Sequence, residues 1–251
     1  MKKFLITITL ISILSIVTVI TILSTIGFKT DKFNSLISSE IKKKNNDVLL
    51  QFKQIKFKFD LKNASLFLET EQPTLTFKKI NTPVKNIKVY LKLFSLLHSN
   101  TEIEKIVIQS KIINISNLQK ILLKMKPSSF NSFILNRVKN GKFKMNLEIF
   151  FDDRIEIKNF IAKGEAERLE ARLINNIQFK NTKFNFFADN SDILIKDISS
   201  ETEGIKLNDG NLQLQKGNEG LKIKLDIFSK AEVDQNFLKK IQIIKKINFT
   251  F

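Results

Sequence analysis

Cysteine is absent from this 251-residue chain, so it has no disulfide framework, thiolate metal site or cysteine nucleophile, and its redox compartment leaves no trace in the sequence. Histidine occurs once, at His98, which excludes a histidine-rich metal site. A serine–histidine–aspartate system would rest wholly on that residue, which reads as a loop side chain. With 3 prolines and 7 glycines there are few strong turn markers, which favours long elements over many tight hairpins. Gly204, Gly210, Gly217 and Gly220 have neither the spacing nor the following Lys-Ser/Thr of a phosphate-binding loop. The nearest approach to paired carboxylates is Asp152 with Asp153, and Glu165, Glu167 and Glu170, and adjacent acids in a turn are usually solvated. The chain is therefore read as a non-enzyme without metal or cofactor.

Acid is also scarce, with 25 acidic against 42 basic side chains and a net charge of +17. The excess is uneven. Residues 1–126 hold 21 basic and 8 acidic side chains, and residues 127–251 hold 21 and 17. Two sources fit this excess: a general compositional preference for Lys, Asn, Ile and Phe, and attraction to anionic lipid headgroups.

What the chain does have is one long apolar run. Phe4 to Phe28 contains 25 residues without a charge, which as a helix extends roughly 37 Å against a hydrocarbon thickness of about 30 Å. A cleavable signal peptide has a shorter apolar core and small residues at its cleavage site, and "STIGFKTDKF" matches that poorly, so an uncleaved single-pass anchor is expected. Lys29, Lys32, Lys42, Lys43 and Lys44 outnumber Lys2 and Lys3, which by charge counting alone places the C-terminal side in the cytoplasm. A very short N-terminal tail before a long domain is nevertheless the usual signal-anchor arrangement, and long domains translocate largely regardless of charge. The extracytoplasmic orientation is the one adopted.

Beyond the run, Phe33, Leu36, Ile37 and Ile41 form one stripe of a short helix, with Asp31 placed to cap it. The period then changes to two. Ile55, Phe57, Phe59 and Leu61 alternate with Lys56, Lys58, Asp60 and Lys62, and Ile87, Val89, Leu91 and Leu93 alternate with Lys88, Tyr90 and Lys92. Residues 116–126 read as a helix ending at Pro127, with Leu118, Ile121, Leu122 and Met125 on one side, and Phe143 to Phe151 as a strand reversing at Asp152 and Asp153 into Ile155 and Ile157. Phe184 and Phe186, Ile193 and Ile195, Leu212 and Leu214, and Leu221 to Ile227 repeat the alternation without a strict sequence repeat. These strands predict a mainly β fold: a long antiparallel sheet, dry on one face, after the membrane helix and a short amphipathic helix, with one or two further short helices. A second sheet, closure of the sheet on itself, or a bound apolar ligand would each cover the dry face.

The order of these features resembles the AsmA-like family of envelope proteins, with its chorein-like N-terminal region. The stretches "VLLQFKQIKFKFDLKNASLFLETEQPTLTFKKI" and "VKNIKVYLKLFSLLHSNTEIEKIVIQSKIINI" carry the likeness, with Leu93 to Leu97 similar to the family's short helical turn, and residues 141–214 resemble its middle region. The resemblance implies a bacterial inner-membrane anchor at 1–28, a chorein-like β region at 29–126 and a continuing β-groove at 127–251. It implies a periplasmic groove that carries phospholipid toward the outer membrane or supports that membrane's biogenesis. Family members that bridge the envelope are far longer, so this chain corresponds to a short member or to a fragment. Ile55, Phe57, Phe59, Ile87, Val89, Leu91 and Leu93 are the candidate groove lining, and membrane phospholipid is the expected partner. The alternative is a membrane-tethered β-domain scaffold that binds an envelope protein. Nucleic acid is not expected as a partner, because Phe alternating with Lys faces away from the basic side.

Overall fold

The computed structural model describes residues 2–32, 34–44, 46–92, 103–152, 156–172, 177–202, 205–217 and 220–230. Leu93, His98 and the turn expected at 93–97 lie outside those residues, as do Phe33, Asp153 and Ile155. In chain order the first elements are α1 (Lys2–Thr25), β1 (Phe28–Thr30), α2 (Asn34–Lys44), β2 (Val48–Gln51), β3 (Gln54–Asp60) and β4 (Ser65–Glu71). Next come β5 (Thr74–Phe77), β6 (Ile80–Thr82), β7 (Val84–Leu91), β8 (Ile103–Ser110), β9 (Ile113–Asn114), α3 (Ile115–Leu122) and α4 (Ser129–Arg137). The long strands follow: β10 (Val138–Phe151), β11 (Ile157–Arg172), β12 (Gln178–Ala188), β13 (Asp192–Thr202), β14 (Ile205–Gly217) and β15 (Gly220–Lys230). The protein is mainly β, as the alternation predicts. Among the described residues a twelve-stranded sheet runs β1-β3-β4-β7-β8-β10-β11-β12-β13-β14-β15, with β9 on β10, and its registered pairs are antiparallel. The chain groups into two compact units, residues 1–111 with 146–160, and residues 112–145 with 161–251, and β10 and β11 contribute to both.

In the first unit, α1 is long and apolar enough to cross a membrane, with a mean hydropathy of 2.6. Its threonines do not spoil that character. The hydroxyls of Thr7, Thr9, Thr18, Thr21 and Thr25 each donate to the carbonyl oxygen four residues back, at 2.8–2.9 Å, so none of these five threonine donors is left to face lipid. The helix stops because the Ile26 and Gly27 N–H groups both return to the Ile22 carbonyl and Gly27 turns at φ +75°. Phe28 lies outside the helix, as the first residue of β1. A smaller sheet, β2-β5-β6, packs with α2 over part of the dry face: Leu50, Val84 and Ile87 are buried, and Ile41, Phe52 and Leu75 close around them. Asn34 Nδ2 donates to the Phe52 and Lys53 carbonyls, and Ser38 Oγ to that of Leu50, which ties α2 to the strand it covers.

In the second unit, α3 and α4 cover one end of the strands. Ile115, Leu122, Ile134, Val138, Ala166, Leu169 and Ala171 form its buried core, with Phe143 and Phe184 packed against them. The helix expected to reach Pro127 ends at Leu122, and Met125 belongs to the turn between the helices. Register slips occur in β11, β12, β13 and β14, and each slipped stretch holds one residue at positive φ: Arg168, Asn181, Asp197 and Asp209. They form a row of β-bulges across neighbouring strands, where each extra residue bends its strand and raises the local twist.

Candidate functional site

Residues directly opposite one another in antiparallel strands share a face, so the register determines which side chains line it. Phe28 is opposite Phe57, Phe57 opposite Leu68, Leu68 opposite Val89, Val89 opposite Ile106, and Ile106 opposite Ile149. This apolar row crosses six strands, roughly 24 Å at a strand spacing of about 4.8 Å. A flanking row runs Phe59, Leu66, Leu91 and Ile103. On the other side stand Ile55, Thr70, Ile87, Ile108 and Leu147. Thr70 is the one polar member there, and its hydroxyl accepts from the Ile87 N–H at 3.0 Å and lies 3.3 Å from the Ile87 carbonyl, which satisfies it.

Six of the seven candidate lining residues, Ile55, Phe57, Phe59, Ile87, Val89 and Leu91, thus fall on one face of β3 and β7. Ile55, Ile87 and Leu91 are buried, whereas Phe57, Phe59, Leu66, Leu68 and Val89 are only half-buried. The small sheet and α2 cover the Ile87 side and leave the row that starts at Phe28 partly open. Phe4 lies in the first turn of α1. Phe28 is 62% exposed, three residues beyond the last residue of α1, with its ring centroid 6.5 Å from that of Phe57.

The opposite face satisfies itself. Glu71 pairs with Lys56 and with Lys29 (3.1 Å) and accepts from Gln54, Glu69 pairs with Lys58 (3.3 Å), and Lys105 pairs with Glu148 (3.8 Å). The Lys56 ammonium and the Gln54 amide hold the Glu71 carboxyl down to about 2. Aromatic rings stand on this face too, against the expectation that they face away from lysine. Phe67 stacks on Tyr90 at 5.1 Å, Lys88 lies over Phe67, and Lys105 lies over Tyr90 and Phe150. The reason is the register: Phe67 is opposite Lys58 and Tyr90, so it joins the charged side of β4. Phe67, Tyr90 and Val107 are buried beneath the lysine and glutamate stems, and burial pushes the Tyr90 hydroxyl pKa up.

The second unit holds apolar rows of its own, which were not among the candidate residues. Gly164, Phe186, Ile195, Leu212 and Leu225 are successive partners, as are Ala162, Ala188, Ile193, Leu214 and Ile223. Gly164 is required here, because a Cβ would fall 2.1 Å from the Lys144 carbonyl and 2.8 Å from the Phe186 ring. Ile193, Ile223 and Leu225 are exposed. The alternation in their strands was the signal that could have placed them on the candidate surface. Among the described residues no group of three or more His, Cys, Asp or Glu side chains is placed to hold a metal ion. Comparison with family models, with curated proteins and with solved structures found no match to this chain.

Proposed function

We propose that the chain is a single-pass protein of the bacterial inner membrane, AsmA-like in type, whose periplasmic β-domain shields phospholipid acyl chains on an apolar groove face. On this reading it carries phospholipid toward the outer membrane or supports that membrane's biogenesis, without covalent chemistry or cofactor. The observation that carries the reading is the partly open apolar row from Phe28 to Ile149, which begins three residues past the end of a membrane-length helix. Each acyl methylene kept from water is worth about 0.8 kcal/mol, so an apolar path starting at the bilayer lowers the cost of withdrawing a lipid. The opposite face, whose carboxylates are engaged by lysines, leaves the apolar face as the one free to take a ligand. Replacing Phe57, Leu68 and Val89 together by threonine removes apolar area while keeping strand-forming side chains. Phospholipid phosphate retained by the purified full-length protein should fall by about half or more relative to a Lys58→Thr control. Equal retention by the two variants would count against the reading.

A second reading, the tethered scaffold, draws on β15. Among the described residues it ends the sheet order, and residues 222–229 are all exposed, which offers an edge for strand addition by an envelope protein. On that reading a Leu225→Pro variant loses a specific partner and keeps its phospholipid.

A further inference from the structure

We propose that the α3–α4 hairpin is a second membrane-contact element, which docks on an anionic bilayer surface. From Lys105 to Leu147 the chain has nine basic residues and no acid. The hairpin sits in the middle of that stretch. Its inner side is fixed to the second unit by Ile115, Leu122, Ile134 and Val138, all buried. Polar bonds stiffen it: Gln119 Nε2 donates to the Ile134 and Val138 carbonyls, Asn131 Nδ2 to the Lys126 carbonyl, and the Asn131 N–H to Ser128 Oγ.

The outer side is what needs an occupant. Leu123 is 68% exposed, Met125 48% and Phe133 40%, on a support too well bonded for these to be strays of a loose loop. A cleft of about 510 Å³ opens between the two helices, with Leu122, Leu123, Met125, Pro127 and Leu135 supplying its apolar wall. Lys120, Lys126 and Arg137 are exposed around it and have no carboxylate partner among the described residues. Leu-Lys-Met-Lys at the tip interleaves apolar groups with cations over four residues. A bilayer interface accommodates this, because apolar side chains enter the headgroup boundary while lysine stems reach back to the phosphates. Nucleic acid would meet the cations and leave Leu123 and Met125 in water.

Because the chain has no native cysteine, a single Leu123→Cys carrying an environment-sensitive fluorophore reports the tip in the full-length protein reconstituted into vesicles. A Lys196→Cys probe on exposed β13 serves as reference. In phosphatidylglycerol vesicles, lipid-borne nitroxide should quench the probe at 123 about threefold more than the one at 196. The excess should vanish in pure phosphatidylcholine and in the Lys120→Glu/Lys126→Glu/Arg137→Glu variant, with Gln replacements intermediate. Equal quenching at 123 and 196 in phosphatidylglycerol, or quenching at 123 that ignores both lipid charge and charge reversal, would overturn the proposal. So would a probe that stays in water with vesicles and shifts on adding RNA or polyglutamate, which would assign the hairpin to a macromolecular partner. The proposal does not depend on lipid being held along the Phe28–Ile149 row, which is read at other residues, so either can fail alone.

Discussion

Gly27 joins the membrane-length helix to the sheet, and two constraints meet there. Its φ of +75° disfavours any side chain, and a Cβ would lie 2.8 Å from the Phe57 carbonyl and 2.9 Å from Lys58 Cγ. Gly27→Ala should therefore cost about 1 to 3 kcal/mol, read as a lower melting temperature of the full-length protein in detergent. An unchanged melt would mean that the junction does not pack as described. Glu71 provides a pH test on the charged face. Its carboxyl lies near 2 in the folded chain against an ordinary 4.5, so it stabilises the fold above pH 4.5 and that contribution fades as pH falls toward 2. The melting temperature should drop through this window, and Glu71→Gln should flatten the drop. A variant with the same slope as the parent would remove the Lys56–Glu71–Lys29 cluster from the account.

At the scale of elements, alternation made the strands legible and register did not. Ile55, Phe57 and Phe59 could be seen to share a face of one strand, but that Phe57 meets Phe28, and Phe67 meets Tyr90, depends on pairings that no single strand encodes. The β5–β6 hairpin was hidden for a chemical reason. Its two-residue turn, Lys78-Lys79, has φ of +46° and +69°, a conformation normally announced by Asn-Gly, so the reversal between β5 and β6 left no mark in the sequence. The bulge row was hidden as well, because a bulge shifts the alternation by one residue and erases the period that identifies a strand. Asn181, Asp197 and Asp209 are in retrospect the signal, being residue types that tolerate positive φ. Asn181→Gly should leave stability within about 0.5 kcal/mol of the parent. Asn181→Val should cost about 1 to 2 kcal/mol, measured by denaturant unfolding. Equal effects of the two would argue against a left-handed bulge at this position.

For the whole molecule, the distribution of charge and apolar surface organises the account. The membrane-length run and the mainly β character could both be read directly from composition and period. The second unit's rows were equally legible, since Ile193 with Ile195, Leu212 with Leu214, and Ile223 with Leu225 alternate as regularly as Ile55, Phe57 and Phe59. What no pattern gave is which apolar alternates are covered: burial of Ile87 against Leu50 of the small sheet depends on contacts between segments distant in sequence. The central claim is that phospholipid lies on the apolar face and not on the charged one. The most direct measurement places a photo-crosslinking amino acid at Phe57 or Val89, and for comparison at Lys58 or Lys88, in cells whose phospholipid is labelled. The account expects lipid adducts from positions 57 and 89 and few from 58 and 88. Equal labelling of both faces, or none from positions 57 and 89 in folded protein, would contradict it.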